Sequence, residues 1–425
     1  MKTEIQKLID EFRTQAWKSN PYELTHRLID SHREHVVTLV EMALEQLPRS
    51  GTFFTDAVSF LPEDELQRFA SLAIATLRKG GQQETSEDFI THCSLQRVES
   101  LHPFLTEIYE LKPNWRSYYS DWPWRKSGVL HFEFLKPVAQ DTSAPAESQE
   151  AWRILLETRH PPILEYCAQN SDLAGDSAAS SDFLEVGFEL NNRAFRQLYV
   201  NEVQHLIFPD EYWRNEKTPP HLMKRHPTWR CSEVQLSSPS RFGGLGAHTC
   251  GACGKLGHHL LSLTEIPKQL PITGLRQARF ETCLSCLGWE VPQMFYRHDS
   301  GGDIVSIAYE GPRIVPQFPA EPFIETEVRF AKTPHRWQWQ DWAVTNGRQN
   351  LHRLGGHPCW IQGAEYLKCP LCQDTMSFLF QLDSHLLVGS NVSKSPGEFL
   401  WGSGGICYAH WCDQCKVSGY LWQCT

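Results

Sequence analysis

The sequence predicts an α+β protein, with an N-terminal helical bundle followed by a β-rich half that contains two similar cysteine-bearing units. Three observations support this class. Apolar residues recur at helical spacing from residue 1 to about 112, whereas Gly, Pro, aromatic and β-branched residues dominate from about residue 183 onward. Eight of the 14 cysteines also form four CxxC pairs, all in the second half.

The helical elements are predicted from their end signals. Asn20 followed by Pro21 is typical of a helix start, and apolar residues continue at helical spacing through Ala43. Another helix is expected after Pro62, with acidic residues in its first turn and basic residues in its last, ending at Gly80. No fixed period indicates a repeat solenoid.

The sequence divides into three predicted segments. Residues 1–136 form the helical N-terminal domain, and 137–150 (PVAQDTSAPAESQE) has the composition of a linker. Residues 151–425 form the β-rich domain, with one cysteine-bearing unit at about 235–300 and another at about 350–425.

These two units are predicted to be diverged copies of one zinc-ribbon-like unit. CGACGKLGHHLLSL (250–263) and CPLCQDTMSFLFQL (369–382) both pass from a cysteine pair into an apolar strand. Upstream, RFGGLGAHTC (241–250) is similar to RLGGHPCW (353–360).

The composition indicates a folded protein outside the membrane. The chain is 41% hydrophobic and 12% aromatic, with a formal net charge of −10 and no basic stripe of the kind that binds nucleic acid. No run is long and apolar enough for a membrane span or a signal peptide, so a cytoplasmic location is expected. Cytosolic thiols stay reduced, so paired cysteines there point to metal rather than to disulfides.

The CxxC pairs predict two structural Zn²⁺ sites with four sulfur ligands each. Two thiolates separated by two residues bind one tetrahedral ion, and a second pair completes the site without leaving a position for water. The repeat favours nearest-neighbour pairing, although loop entropy alone leaves three pairings open. The predicted ligands are Cys250, Cys253, Cys283 and Cys286 for the first site, and Cys369, Cys372, Cys412 and Cys415 for the second.

One alternative stays open at the first site. His248, His258 and His259 lie close to it in the sequence, and any of them would be a chemically competent replacement for a thiolate. The cysteines without pair spacing are expected to be core residues: Cys93, Cys167, Cys231, Cys359, Cys407 and Cys424.

The C-terminal region carries RLGGHPCWIQ (353–362), FLFQLDS (378–384) and FLWGSGGICYAHWC (399–412), in that order. This order resembles the YwqG-like family, a bacterial domain of unknown function, over roughly residues 235–425. The matching positions are Gly355, Gly356, Pro358, Trp360, Gln362, Gln381, Asp383, Trp401, Gly402, Gly405 and Tyr408. The plainest members lack the cysteine pairs, so this chain resembles a cysteine-bearing branch.

The resemblance implies a binding function. The family has no known catalytic residue set, its members often sit beside bacterial toxin genes, and some look like immunity proteins. The chain also lacks the GxxxxGK[ST], GxSxG and HExxH motifs and a strand-linked GxGxxG, so no enzyme is predicted. The predicted function is an immunity protein that binds and occludes a cognate secreted antibacterial effector, with a nuclease as one candidate.

A nuclease groove would be basic, so acidic residues of the helical region are the predicted partner contacts. These are Glu63, Asp64, Glu65, Glu87 and Asp88.

The alternative function is a zinc-ribbon protein associated with nucleic acid or the ribosome. Its support is HLMKRHPTWR (221–230), which has only three basic residues besides its histidines. That is a weak electrostatic footprint, and the acidic chain disfavours nucleic acid.

Overall fold

The fold is described from a computed structural model. It describes residues 1–15, 18, 20–80, 84–111, 121–173, 175–213, 226–230, 238–306, 309–344, 349–389 and 397–425. The chain divides into two compact units. The first unit is Met1–Val186 with Leu190–Phe195, and the second unit is Gly187–Glu189 with Arg196–Thr425.

The first unit is helical. Its α-helices are α1 (Lys2–Thr14), α2 (Pro21–Ser31), α3 (Val36–Gln46), α4 (Thr52–Ser59), α5 (Glu63–Arg78), α6 (Glu84–Arg97), α7 (Leu105–Leu111), α8 (Phe132–Ala139), α9 (Pro145–Glu157), α10 (Pro161–Gln169) and α11 (Asp176–Glu185). In the described part of the chain, no helix combines the length and the apolar character that a membrane crossing needs.

The predicted helix ends are confirmed at α2 and α5. The Asn20 side chain accepts a hydrogen bond from the Tyr22 N–H, with Pro21 in the first turn of α2. Helix α5 begins with three acidic residues and is followed at Gly80 by a left-handed backbone conformation with φ of +76°.

The predicted linker at 137–150 does not separate two bodies. Residues up to Ala139 end α8, and Pro145 opens α9, whose Ala151, Trp152 and Leu155 are buried. Proline is favoured in the first turn of a helix, and Ala and Glu are good helix formers, so the composition of a linker is also that of a helix start. The boundary between the compact units lies near Val186 instead.

The second unit is built from β-strands, with a helical turn at Pro227–Arg230. The α+β class is therefore confirmed. Two short strands, β1 (Phe188–Asn191) and β2 (Ala194–Gln197), have residues in both units. The strands that lie wholly in the second unit are β3 (Val203–Ile207), β4 (Ser240–Phe242), β5 (Leu245–Thr249), β6 (Leu256–Leu263), β7 (Ala278–Thr282), β8 (Met294–His298), β9 (Ile304–Ser306), β10 (Thr326–Lys332), β11 (Arg353–Gly355), β12 (Ser377–Asp383), β13 (Leu386–Val388), β14 (Gly397–Phe399), β15 (Ile406–Cys412) and β16 (Val417–Gln423).

Among the described residues, twelve of these strands form one sheet in the order β5-β6-β4-β10-β3-β11-β12-β15-β16-β8-β9, with β7 paired to β6. All of the recorded strand pairs in this sheet are antiparallel. Every residue of β15 is buried, so this central strand is covered on both faces. Three of the cysteine pairs lie at the C-terminal ends of β5, β7 and β15, and the 369/372 pair lies between β11 and β12.

Candidate metal centres

The structure brings the eight paired cysteines together in two groups of four. Cys250 and Cys253 lie with Cys283 and Cys286, and the second group joins the 369/372 pair to the 412/415 pair. Within each group the four sulfur atoms all lie within 4.8 Å of one another. The nearest-neighbour pairing predicted from the sequence repeat is therefore the pairing that the fold produces.

The sulfur separations fit a tetrahedral ion. The Sγ–Sγ distances are 4.0 Å for Cys250–Cys286, 3.8 Å for Cys253–Cys283 and 3.6 Å for Cys372–Cys412. A metal–sulfur bond of about 2.3 Å in a tetrahedron gives sulfur edges of about 3.8 Å. A disulfide would require about 2.05 Å. None of the described cysteines forms a disulfide, and both groups could hold a metal ion.

The first cysteine pair of each group adopts the same tight turn. The Cys250 N–H donates to the Lys255 carbonyl at 2.8 Å, and the Gly254 N–H donates to the Cys250 carbonyl at 2.9 Å. In the Cys369 turn the two corresponding bonds are both 2.9 Å. The residue after the second cysteine is left-handed in both turns, with φ of +74° at Gly254 and +64° at Gln373. Glycine suits that conformation, and Gln373 adopts it at some steric cost.

These turns also direct backbone N–H groups at sulfur. Burial raises the pKa of Cys369, but N–H groups of Leu371 and Cys372 bond its sulfur, and the net pKa is lowered. Hydrogen bonds with the thiols of the opposite pair hold the pKa of Cys250 low, with N–H groups of the same turn assisting. Donors aimed at sulfur favour the thiolate form, which is the form that binds metal.

The strands that join the cysteine pairs have the same register in both cysteine-bearing units. The fifth residue after the second cysteine is His258 in β6 and Ser377 in β12. Each lies opposite the residue that precedes the third cysteine, which is Thr282 in β7 and Trp411 in β15. The cysteines of both groups are thus placed by one geometric arrangement.

A β-bulge occurs at the same place in both ladders. The register of β6 against β7 shifts at Leu260, and that of β12 against β15 shifts at Leu379. Both residues are the seventh after the second cysteine. Bulges are specific features of a strand pair rather than random defects. The shared bulge and register support a diverged duplication.

The three histidines near the first group contact other residues instead of joining the four sulfur atoms. The His248 Nδ1 lies 3.4 Å from a carboxylate oxygen of Glu281, and the His259 ring contacts the Gly243 carbonyl and Ser262. His258 accepts the Leu284 N–H at Nδ1, at 3.1 Å. The four-cysteine set of the first group contains no histidine.

The remaining described cysteines lie apart from the two groups. Cys93, Cys167, Cys359 and Cys407 are buried, as expected for core residues, and Cys424 is half-buried. Cys231 lies outside the described residues.

A proline-rich segment at 309–323, which we call the strap, crosses the first group. The Ile314 N–H donates to the Ala252 carbonyl at 3.0 Å, inside the first cysteine pair. The Ala320 N–H donates to the Ser285 Oγ at 2.9 Å, inside the second pair, and His258 Nε2 lies 3.3 Å from the Ala320 carbonyl. The strap therefore depends on both cysteine turns. Sequence reasoning missed it, although the prolines at 312, 316, 319 and 322 were a usable signal.

Gly251 allows the strap to approach the first cysteine turn. A Cβ at this position would lie 2.9 Å from the Tyr309 Cβ, which belongs to the strap. Gly251→Ala is expected to displace the strap and to lower the free energy of unfolding by about 1–3 kcal/mol, without removing a metal ligand. Denaturant titration with metal analysis checks this. Gly301→Ala is the matched control, because a Cβ at Gly301 would have only the Asp299 side chain nearby.

The second group is more exposed and has a different neighbour. Cys372 and Cys415 are both only half-buried. Within the second turn, Asp413 accepts hydrogen bonds from the Thr273 N–H at 2.8 Å and from the Lys416 ammonium at 2.7 Å. Thr273 lies between β6 and β7, in the cysteine-bearing unit of the first group. The turn of the second cysteine group therefore binds a loop of the other cysteine-bearing unit.

The difference in exposure predicts an order of metal loss. A chelator is expected to empty the second site at least about tenfold faster than the first, a difference of ~1.4 kcal/mol in local opening. Iodoacetamide labelling followed by mass spectrometry should then find Cys372 and Cys415 modified before Cys253. Equal rates, or earlier labelling of Cys253, would contradict this order.

The acidic residues predicted as partner contacts are partly occupied within the first unit. Glu63 pairs with Arg97 at 2.8 Å, and Glu65 pairs with Arg68 at 2.5 Å. Asp64 is exposed in the same first turn of α5. Ion pairing leaves these carboxylates less charge to offer a partner.

The other two predicted contacts lie on α6 and are half-buried. The Asp88 carboxylate accepts a hydrogen bond from Ser50 Oγ at 2.6 Å, and burial raises the pKa of Asp88. Glu87 lies beside it. Of the five predicted residues, Asp64 is the one whose carboxylate is exposed and has no ion pair in the described chain.

Polar residues of the YwqG-like pattern bind the main chain. Gln381 accepts the Cys359 N–H and donates to the Leu351 carbonyl, both at 3.0 Å. The Tyr408 hydroxyl donates to the Cys359 carbonyl at 2.7 Å. Gln423, which is not part of that pattern, accepts the N–H groups of Ile361 and Gln362 at 3.1 Å. These side chains fasten the 359–363 segment to one face of the central strands.

The strand exit after β12 is fixed in the same manner. Asp383 accepts the Ser384 N–H at 2.7 Å, and Ser384 Oγ donates to the Gly405 carbonyl at 2.8 Å. The Trp401 indole is buried and donates to the Asp383 carbonyl at 3.3 Å. The conspicuous motif residues are thus occupied in holding the backbone.

The segment 221–230, which supported the nucleic-acid alternative, shows no exposed basic surface among its described residues. Residues 221–225 lie outside the described residues, and His226 and Trp229 are buried. Nothing described in this segment presents a basic face.

Comparison with known proteins gives little overlap. A Salmonella typhimurium (strain LT2) protein named "Uncharacterized protein YpfL" is 32% identical over 73 residues. That match covers 17% of this chain and only 15% of the Salmonella protein. No family model matches the chain, and no solved structure matches it.

Proposed function

We propose that each four-cysteine group holds one structural Zn²⁺. The support is the donor set: four sulfurs at tetrahedral spacing satisfy the ion and leave no position for a substrate or water. Iron shares this ligand preference, so the metal must be measured. Elemental analysis of the purified protein is expected to give two zinc per chain, with no visible absorption of an iron–thiolate centre. A folded, metal-free chain would contradict the proposal.

We further propose that the protein acts in the cytoplasm as an immunity protein that binds and occludes a secreted antibacterial effector without catalysis. The observation that supports this is that polar side chains of the C-terminal motifs are engaged in hydrogen bonds to the main chain. Gln381, Asp383 and Tyr408 all bond the main chain, which leaves the surface as the functional part. The resemblance to the YwqG-like family supplies the class of partner.

Co-expression with the neighbouring gene product tests this function. That product is expected to kill cells when expressed alone and to be harmless when this chain is present. If it is harmless alone, or still kills in the presence of this chain, the proposal fails.

Stoichiometry separates occlusion from catalysis. Titrating this chain into the purified effector is expected to abolish effector activity at one chain per effector. Complete inactivation by a small fraction of an equivalent would indicate an enzyme, and would contradict the non-catalytic proposal.

A further inference from the structure

An exposed apolar surface lies on the strap and the cysteine turn beneath it. Val315 is 91% exposed, Phe318 is 49% exposed and Trp289 is 42% exposed. The rings of Trp289 and Phe318 lie 4.7 Å apart. We call Trp289, Val315 and Phe318 the strap surface. Single exposed apolar residues are ordinary, but two aromatic rings in contact, with a valine almost fully in solvent on the same segment, form a patch.

This surface is held firmly from below. Trp289 follows the last cysteine of the first group by three residues, and its ring lies 5.2 Å from that of Trp422. The Trp422 indole in turn donates to the Leu287 carbonyl at 2.8 Å. The strap is bound to both cysteine turns and is stiffened by its prolines. Rigid aromatic side chains lose little entropy on binding, so such a surface is suited to a partner.

The charged residues of the strap, together with Glu290 beside it, are mainly negative. Glu290 accepts the Gln317 N–H at 2.7 Å, which places one carboxylate beside the rings. Glu310 and Glu321 lie exposed near the two ends of the strap. Within the described residues, none of these three carboxylates has a cationic partner within ion-pair distance. Arg313 is the one basic residue of the strap.

We propose that the strap surface is the docking site for a basic, apolar segment of a partner protein. An aliphatic or aromatic side chain of that segment packs on Trp289 and Phe318, and neighbouring Lys or Arg side chains pair with Glu290, Glu310 or Glu321. The identity of this partner as an effector rests on the proposed function. Unlike Glu63 and Glu65 in the helical unit, these carboxylates have no ion pair among the residues that the structure describes.

Matched valine variants test the surface against the effector. Val315→Lys is expected to weaken binding of the neighbouring gene product by at least about tenfold, because it places a charge on the apolar patch and that charge repels a basic partner segment. Val129→Lys, on an exposed valine of the helical unit, should change binding by less than about twofold. Unchanged zinc content and circular dichroism must accompany both variants. If Val315→Lys neutralises the effector as well as the wild type, the strap surface is not the docking site, although the proposed function stands.

A random 12-residue peptide library displayed on phage tests the surface independently of the effector. After subtraction on Trp289→Ala protein, the peptides retained on the wild type are expected to be rich in Lys or Arg next to apolar residues. A synthetic copy of the commonest one should bind Trp289→Ala at least about tenfold more weakly. Acidic peptides, peptides indifferent to Trp289, or association of the chain with a second copy through Val315 would overturn the inference. Each of these outcomes would overturn the docking site even if the co-expression test had already ruled out the proposed immunity function.

Discussion

Cys286→Ser is expected to unfold the second unit at room temperature while the first unit keeps its helices. Cys286 is fully buried and supplies one of the four sulfurs of the first group. A structural zinc site contributes about 10–16 kcal/mol of apparent binding free energy, whereas whole domains are stable by only about 5–15 kcal/mol. Losing most of that contribution leaves too little to hold the β-strands.

The loss is expected to spread to the second cysteine group because the two cysteine-bearing units, which both lie within the second compact unit, share a core. The Phe280 ring lies 5.3 Å from that of Phe380 and 6.3 Å from that of Trp411. Thr273, from the loop between β6 and β7, is bonded to Asp413 in the other cysteine-bearing unit. Neither cysteine-bearing unit can lose its strands without exposing apolar surface of the other, so the second compact unit is expected to unfold cooperatively.

Limited proteolysis and tryptophan fluorescence measure this effect. Cleavage of Cys286→Ser protein should concentrate in the second unit and leave a resistant helical fragment from the first. Cys424→Ser is the matched control, because Cys424 is half-buried and belongs to neither group; it should change the free energy of unfolding by less than about 1 kcal/mol. A Cys286→Ser protein with the melting temperature of the wild type and two bound metal ions would refute the structural role of the first metal site.

The cysteine groups were predictable because their chemistry is local in the sequence. A CxxC pair fixes a turn geometry, and the repeat of strand patterns after Cys253 and Cys372 indicated which pairs belong together. The helix ends at Pro21 and Gly80 were predictable for the same reason, since capping depends on a few adjacent residues.

The features that failed or were missed depend on contacts between distant residues. Whether Glu63 is free depends on Arg97, and whether the strap covers the first group depends on Ala252 and Ser285. The 137–150 segment shows a different limit, because Pro, Ala and Glu suit both a linker and a helix start. Charge or composition in a short segment cannot distinguish such alternatives without the tertiary partner.

Acidification from pH 7 to pH 4 is expected to destabilise the second unit by about 6 kcal/mol through two histidines alone. His205 and His352 are fully buried, and burial lowers the pKa of each to about 3. Both are therefore neutral in the folded protein. The His352 Nδ1 accepts the Asp383 N–H at 3.1 Å, a bond that a protonated ring cannot make.

The direction follows from the proton balance between folded and unfolded states. An unfolded histidine has a pKa near 6.5, so below that pH the unfolded chain binds protons that the folded chain excludes. Stability is thus complete above about pH 6.5 and falls by ~1.4 kcal/mol per pH unit for each histidine until about pH 3. Near pH 4 the combined loss is comparable with the whole stability of an ordinary domain.

His352→Asn separates this effect from acid release of metal. The asparagine side-chain oxygen can accept the Asp383 N–H in place of Nδ1, but it does not titrate in this range. The variant is expected to recover about half of the acid-induced loss, about 3 kcal/mol, and to unfold at lower pH than the wild type. Protonation of the thiolates would affect both proteins equally, so zinc release measured in parallel identifies that contribution. Identical acid midpoints for the two proteins would show that His352 is not held neutral by the fold.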